Sequence, residues 1–242
     1  MEKLEIRLNN HIRFRKDGLP PEGIKVLENR LIYKNPLFYR NEQYGRPNIN
    51  VQPTLRCIWE DEENGDIVIV RGFISEFIRI LHANRIEFDL TDLTRKFEPV
   101  GFDSSVGHES LGMKWPYHGE ALERITEHRF GILVGPFGSG KKMLACKLAA
   151  RRKVPALVIV MTKREMYTWK DAASRFLGLE GRDIGLIGDG KRELGRKFSI
   201  AITLSLYKVI DRVEPQIGFV IVDSCDRANL KIYFKASLFN CP

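Results

Sequence analysis

The sequence predicts an α/β fold, a parallel sheet with helices on both faces and a phosphate loop, preceded by a smaller α+β domain. Three observations carry this. In the second half, short apolar runs alternate with amphipathic stretches of helical period. A glycine-rich loop ending in Gly140-Lys141 lies between one such run and one such helix. A later apolar run ends in an acid, Asp223. Strands that are apolar on both faces and separated by helices belong in a parallel sheet covered on both sides.

Each element has its own signal. Leu4, Ile6 and Leu8 alternate as a half-buried strand does, and Pro20-Pro21 opens a helix through Ile24, Leu27 and Leu31. Residues 56–60 and 67–70 form a hairpin whose tip carries the turn dipeptide Asn64-Gly65. Phe73, Phe77, Ile78, Ile80 and Leu81 have helical spacing, and the Gly- and Ser-rich residues 99–112 read as a linker. The expected domains are therefore 1–112 and 113–242. In the second, strands are expected at 132–134, 156–160, 184–187, 200–203 and 219–222, with helices at 144–151, 165–177 and 205–212.

Composition narrows the function classes. Of 242 residues, 43% are hydrophobic and 29% charged, and no run approaches the roughly 18 to 20 apolar residues of a membrane span. The start, MEKLEIRLNN, lacks a basic region followed by an apolar run, so a cytoplasmic location is expected. Cys57, Cys146, Cys225 and Cys241 are too scattered for a zinc site and read as reduced thiols. The net charge is +8, and residues 1–115 carry 17 Lys and Arg against 18 Asp and Glu, leaving 22 against 13 for the rest. The whole basic excess lies in the second half, which suits a polyanionic partner.

Two motifs carry chemistry. Gly135-Pro136-Phe137-Gly138-Ser139-Gly140-Lys141-Lys142 fits the phosphate-loop pattern G-x-x-x-x-G-K-[ST] except at its last position. Its glycines let backbone N–H groups wrap phosphate oxygens, the following helix adds a favourable dipole, and Lys141 reaches the terminal phosphates. Val220-Ile221-Val222-Asp223 places a carboxylate at a strand end, where such loops are partnered by a Mg²⁺-holding acid. Thr162 and Glu165 have capping-box spacing, so Lys163 and Arg164 would flank a helix N-terminus.

Together these stretches resemble a superfamily-two DNA helicase of the DEAD/DEAH-box type, in the branch that includes restriction-enzyme translocating subunits. The similarity runs from Trp115-Pro116-Tyr117-His118 through the phosphate loop, Met161 to Lys170, Ile202 to Leu206, and the Asp223 segment. Asn35-Pro36 through Tyr44-Gly45-Arg46, with Arg71-Gly72-Phe73, resembles the leading domain of some such helicases. The resemblance implies an amino-terminal domain plus the first RecA-like lobe only. It implies ATP or ADP and Mg²⁺ as cofactors, with Tyr117 and His118 beside the base, and Asp223, Ser224 and Asp226 as the catalytic segment. It also implies nucleic acid, DNA foremost, on Thr162, Lys163, Arg164, Thr203 and Ser205, and a second lobe in trans as a possible partner.

Several positions depart from the family. Lys142 stands where a Ser or Thr hydroxyl ligates Mg²⁺, and an ammonium cannot ligate a cation. Ser224 stands where a glutamate activates water, and losing such a base costs on the order of 10² to 10⁴ in rate. His118 replaces a glutamine and Asp226 a family His or Asp. Phe239 to Pro242 resembles the approach to a Thr-Ala-Thr motif that the sequence does not reach. The expected function is a helicase-like nucleotide- and nucleic-acid-binding protein with little or no hydrolysis or unwinding. The alternatives are a subunit of a split ATP-dependent helicase, and an interaction module using neither ATP nor DNA.

Overall fold

The computed structural model describes residues 3–102 and 116–225. The chain divides into two compact units, Met1–Leu93 and Thr94–Pro242.

The first unit contains β1 (Leu4–Leu8), β2 (His11–Arg15), α1 (Pro21–Leu31), β3 (Ile32–Lys34), α2 (Pro36–Gln43), β4 (Thr54–Arg56), β5 (Ile58–Glu60), β6 (Asp66–Val70), α3 (Ile74–Ala83) and β7 (Phe88–Asp92). Its main sheet has the order β5-β6-β2-β1-β7, with only the β1–β7 pair parallel. Leu4, Ile6 and Leu8 point inward while the residues between them face out, as their alternation predicts. Leu27 and Leu31 of α1 and Phe77 and Leu81 of α3 cover that inner face, and the Phe14 and Phe77 rings stack at 5.1 Å. On the other side, Arg7 pairs with Asp66 and Arg13 with Asp61 across the strands. The turn at Asn64-Gly65 has Gly65 at φ +71° and the Asn64 carboxamide accepting from the Asp66 N–H.

The second unit begins with residues that pack onto it. Arg95 reaches the Glu214 carboxylate at 3.2 Å, the Val100 N–H bonds to the Lys153 carbonyl at 2.9 Å, and Phe102 joins the core. The boundary expected between 112 and 113 falls outside the described residues. Next come α4 (Tyr117–Glu127), α5 (Lys141–Arg152), β8 (Ala156–Val160), α6 (Lys163–Leu177), β9 (Ile184–Gly188), β10 (Lys191–Glu193), β11 (Phe198–Ile202), α7 (Thr203–Tyr207), α8 (Ile210–Val213) and β12 (Phe219–Val222). The sheet order is β10-β9-β11-β8-β12, parallel except for β10. One face packs Cys146 and Ala149 of α5 and Met166, Trp169 and Ala173 of α6; the other packs Leu206, Ile210, Val213 and Ile217. Helices therefore cover both faces, as predicted. Burial pushes the Cys146 thiol up to about 12, so this cysteine is an inert core residue. Among the described residues no helix is long and apolar enough to cross a membrane.

One expected strand is not formed. Residues 132–134 have no strand geometry, and Ile132 and Val134 are 76% and 86% exposed. An apolar run becomes a strand only where a neighbour completes its ladder, and no described residue pairs with this one. The helix expected at 205–212 is instead two short ones, α7 and α8, interrupted at Val209, whose φ is −132°.

Because Phe77 is fully buried against Phe14, truncating it leaves a large cavity. Phe77→Ala should lower stability by about 3 to 5 kcal/mol, measured by urea denaturation, against less than about 0.5 kcal/mol for an exposed control such as Gln43→Ala.

Candidate nucleotide site and adjoining basic helix

The phosphate loop has the backbone that its sequence demands. Gly138 and Gly140 sit at φ +78° and +79°, in the left-handed region that residues with a Cβ avoid. Gly140 is the residue before α5, so the loop runs directly into the first free N–H groups of that helix. A Cβ on Gly140 would lie 2.7 Å from His118 Nε2, so the position is closed on steric grounds as well. Lys141 folds back over the loop, its Nζ donating to the Gly135 and Pro136 carbonyls at 2.7 Å each. Those carbonyls hold an ammonium where a bound phosphate would compete for it.

Tyr117 and His118 brace the loop from beneath. His118 is only 3% exposed, and its Nε2 lies 3.0 Å from the Ser139 carbonyl, to which Tyr117 Oη also donates at 3.3 Å. A carbonyl can only accept, so the contact requires the proton on Nε2. The buried Nδ1 then has no hydrogen-bond partner among the described residues. The residue expected beside the base thus sits against the loop backbone.

Asp223 follows β12, and its Oδ2 accepts from the Trp169 indole Nε1 at 2.7 Å. Trp169 is 2% exposed and stacked on Phe198, so that donor is fixed by the core. Lys142 donates to Thr168 Oγ1 at 2.8 Å and lies 5.6 Å from the centroid of the same indole. One turn of α6 therefore holds both the loop's second lysine and the acid at the strand end. This donor set suits a divalent cation poorly: the position of a hydroxyl ligand carries an ammonium, and one oxygen of the Asp223 carboxylate is committed to the indole. Ser224 has φ +56°, which places its hydroxyl on a left-handed turn. Asp226 lies outside the described residues.

The α6 N-terminus forms the predicted capping box. Thr162 Oγ1 accepts from the Glu165 N–H at 3.2 Å, and Glu165 Oε2 accepts from the Thr162 N–H at 2.9 Å and the Met161 N–H at 3.0 Å. Lys163 Nζ sits 2.7 Å from Asp189, which also accepts from Tyr167 Oη at 2.8 Å. The Lys163 and Tyr167 donors hold the Asp189 carboxyl below its ordinary range, and Asp189 raises Lys163. Arg164 is exposed. Thr203 is buried, donating to the Val160 carbonyl at 2.7 Å, while Ser205 is half-buried. Of the five expected nucleic-acid residues, Lys163 and Arg164 present charge to solvent and Thr203 faces the interior.

Sequence reading missed Thr168, Trp169 and Asp189. Trp169 left a usable signal, since a tryptophan on the apolar face of a helix needs a partner for its N–H. Asp189 left none, because its role depends on a turn between β9 and β10 meeting α6.

No protein-family model matches the chain. A protein of Haloarcula marismortui named for a DNA 3'-5' helicase, Rad25, is 32% identical over 92 residues, covering 38% of this chain and 14% of its own length. The DNA 3'-5' translocase XPB2 of Sulfurisphaera tokodaii is 33% identical over 78 residues, 32% of this chain and 17% of its own. The similarity thus spans less than a fifth of either relative. Among solved structures, the UvsW helicase from bacteriophage T4 matches with TM-score 0.68 at 15% identity, over 99% of this chain and 89% of that one. A second T4 UvsW structure matches with TM-score 0.70 at 15% identity, over 99% of this chain and 51% of that one. The fold is thus shared with the T4 UvsW helicase structures, a parallel α/β sheet covered by helices on both faces.

The capping box is the part of this site that stability measurements reach most directly. Thr162→Ala should cost about 1 kcal/mol in urea denaturation. Adding Glu165→Ala should cost less than the sum of the single changes, since the two side chains cap each other.

Proposed function

We propose that the chain is a helicase-like nucleotide-binding protein that also binds nucleic acid and hydrolyses ATP little or not at all. The observation that carries the nucleotide reading is the loop at 135–141, with left-handed glycines running into α5 and Lys141 held on carbonyls that a phosphate can displace it from. The helicase-like fold and the partial similarity to proteins named as a DNA helicase and a DNA translocase support the nucleic-acid reading. The basic excess of the second half, with Lys163 and Arg164 at the start of α6, supports placing that contact on the second unit.

Weak turnover follows from the residues beside Asp223. Ser224 has no carboxylate to take a proton from water, and its hydroxyl is no base near neutral pH. The finer placement, in the branch with restriction-enzyme translocating subunits and with a second lobe in trans, rests on motif order alone.

Isothermal titration with ATP tests the central reading. Lys141→Ala should weaken binding by roughly ten- to a hundredfold, the worth of a charge-assisted contact to phosphate. Equal affinity in wild type and variant would remove the phosphate-loop assignment. ATP turnover by the wild-type chain should match a blank without protein, and a clear rate would show that another group replaces the missing base.

Nucleic-acid binding is tested by its salt dependence. Affinity for a short DNA should fall steeply with salt, and Lys163→Ala with Arg164→Ala should make the log–log slope shallower by about 1 to 2. An unchanged slope would place the contact elsewhere.

A further inference from the structure

The second lysine of the phosphate loop, the strand-end acid and α6 meet around one indole. Lys142 is the second residue of α5, beside the loop that would hold the polyphosphate. Its ammonium has two modest anchors, the Thr168 hydroxyl at 2.8 Å and the Trp169 ring at 5.6 Å. Neither anchor is a carboxylate, and among the described residues Lys142 forms no ion pair. Trp169 meanwhile donates to Asp223 Oδ2, which holds that carboxylate away from open solvation.

We propose that Lys142 is a built-in replacement for the divalent cation, and that the form of nucleotide this pocket takes is the metal-free polyphosphate. The proposal rests on the nucleotide-binding reading above and refines its ligand. In the resting pocket the ammonium is docked on Thr168 and Trp169. When a polyphosphate enters, Lys141 leaves the Gly135 and Pro136 carbonyls and Lys142 leaves its dock, so two ammonium groups meet the phosphate oxygens. A Mg²⁺-bound nucleotide is the poorer ligand, because it brings a cation to a position that already holds one, where like charges repel. The dock sets affinity as well: its hydrogen bond and cation–π contact must be broken before Lys142 reaches the ligand.

Titration of the full chain with ATP in EDTA and in excess Mg²⁺ tests this. The wild type should bind in EDTA at least as tightly as in Mg²⁺. Lys142→Met, which keeps the length and removes the charge, should lose roughly tenfold in EDTA, a charge-assisted contact in fold-change, and much less in Mg²⁺. Thr168→Val, which removes an anchor from an exposed position, should bind about two- to fivefold tighter in EDTA. Strict Mg²⁺ dependence of the wild type, or an unchanged Lys142→Met affinity in EDTA, overturns the metal-replacement role while leaving nucleotide binding intact. Weaker binding by Thr168→Val overturns the dock. No binding in either buffer removes the nucleotide reading itself, and this inference with it.

Discussion

A tryptophan that is almost wholly buried must find a partner for its indole N–H, and the way Trp169 meets that demand organises the second unit. Its ring lies between α6 and the sheet, stacked on Phe198 of β11, so helix and strand are fixed around it. The N–H emerges toward the end of β12, and Asp223 is what it finds. A core-packing residue thereby sets the orientation of the carboxylate at the end of β12. The ring's face supplies the resting contact for Lys142, so a single side chain couples interior packing to the charges of the site.

The second unit divides labour between backbone and side chains. The loop at 135–141 needs only glycines in left-handed geometry and a helix behind it, and both are present whatever the other positions hold. The features that set the chemistry are side chains, and these depart from the pattern that the fold suggests. In the proposed reading, a fold of this kind keeps its phosphate-binding shape while losing the groups that turn binding into hydrolysis.

Much of this was legible in the sequence. Period-two alternation placed Leu4, Ile6 and Leu8 on the inner face of β1, and apolar runs marked β8, β9, β11 and β12. Thr162 with Glu165 marked the start of α6, because a capping box is made by residues three apart and needs no distant partner. The run at 132–134 misled for the opposite reason: strand formation is a property of two segments, and periodicity reports on only one. The same limit hid the Trp169–Asp223 contact, which joins residues 54 positions apart, and the link between Lys163 and Asp189. Thr203, expected among the nucleic-acid residues, is buried and donates to the Val160 carbonyl, a partner that sequence spacing does not reveal.

The segment that failed to become a strand has a colloidal consequence. Among the described residues, Ile132, Leu133 and Val134 leave β-branched and apolar side chains exposed beside a backbone without a ladder, and Phe137 at the loop tip is fully exposed. Such a stretch is a ready template for another chain's edge. The net charge of +8 opposes such association, through a repulsion that reaches only about 8 Å at physiological ionic strength and about 3 Å at 1 M salt. Concentrated salt therefore weakens that repulsion while leaving the apolar segment untouched, so self-association should become easier as salt rises.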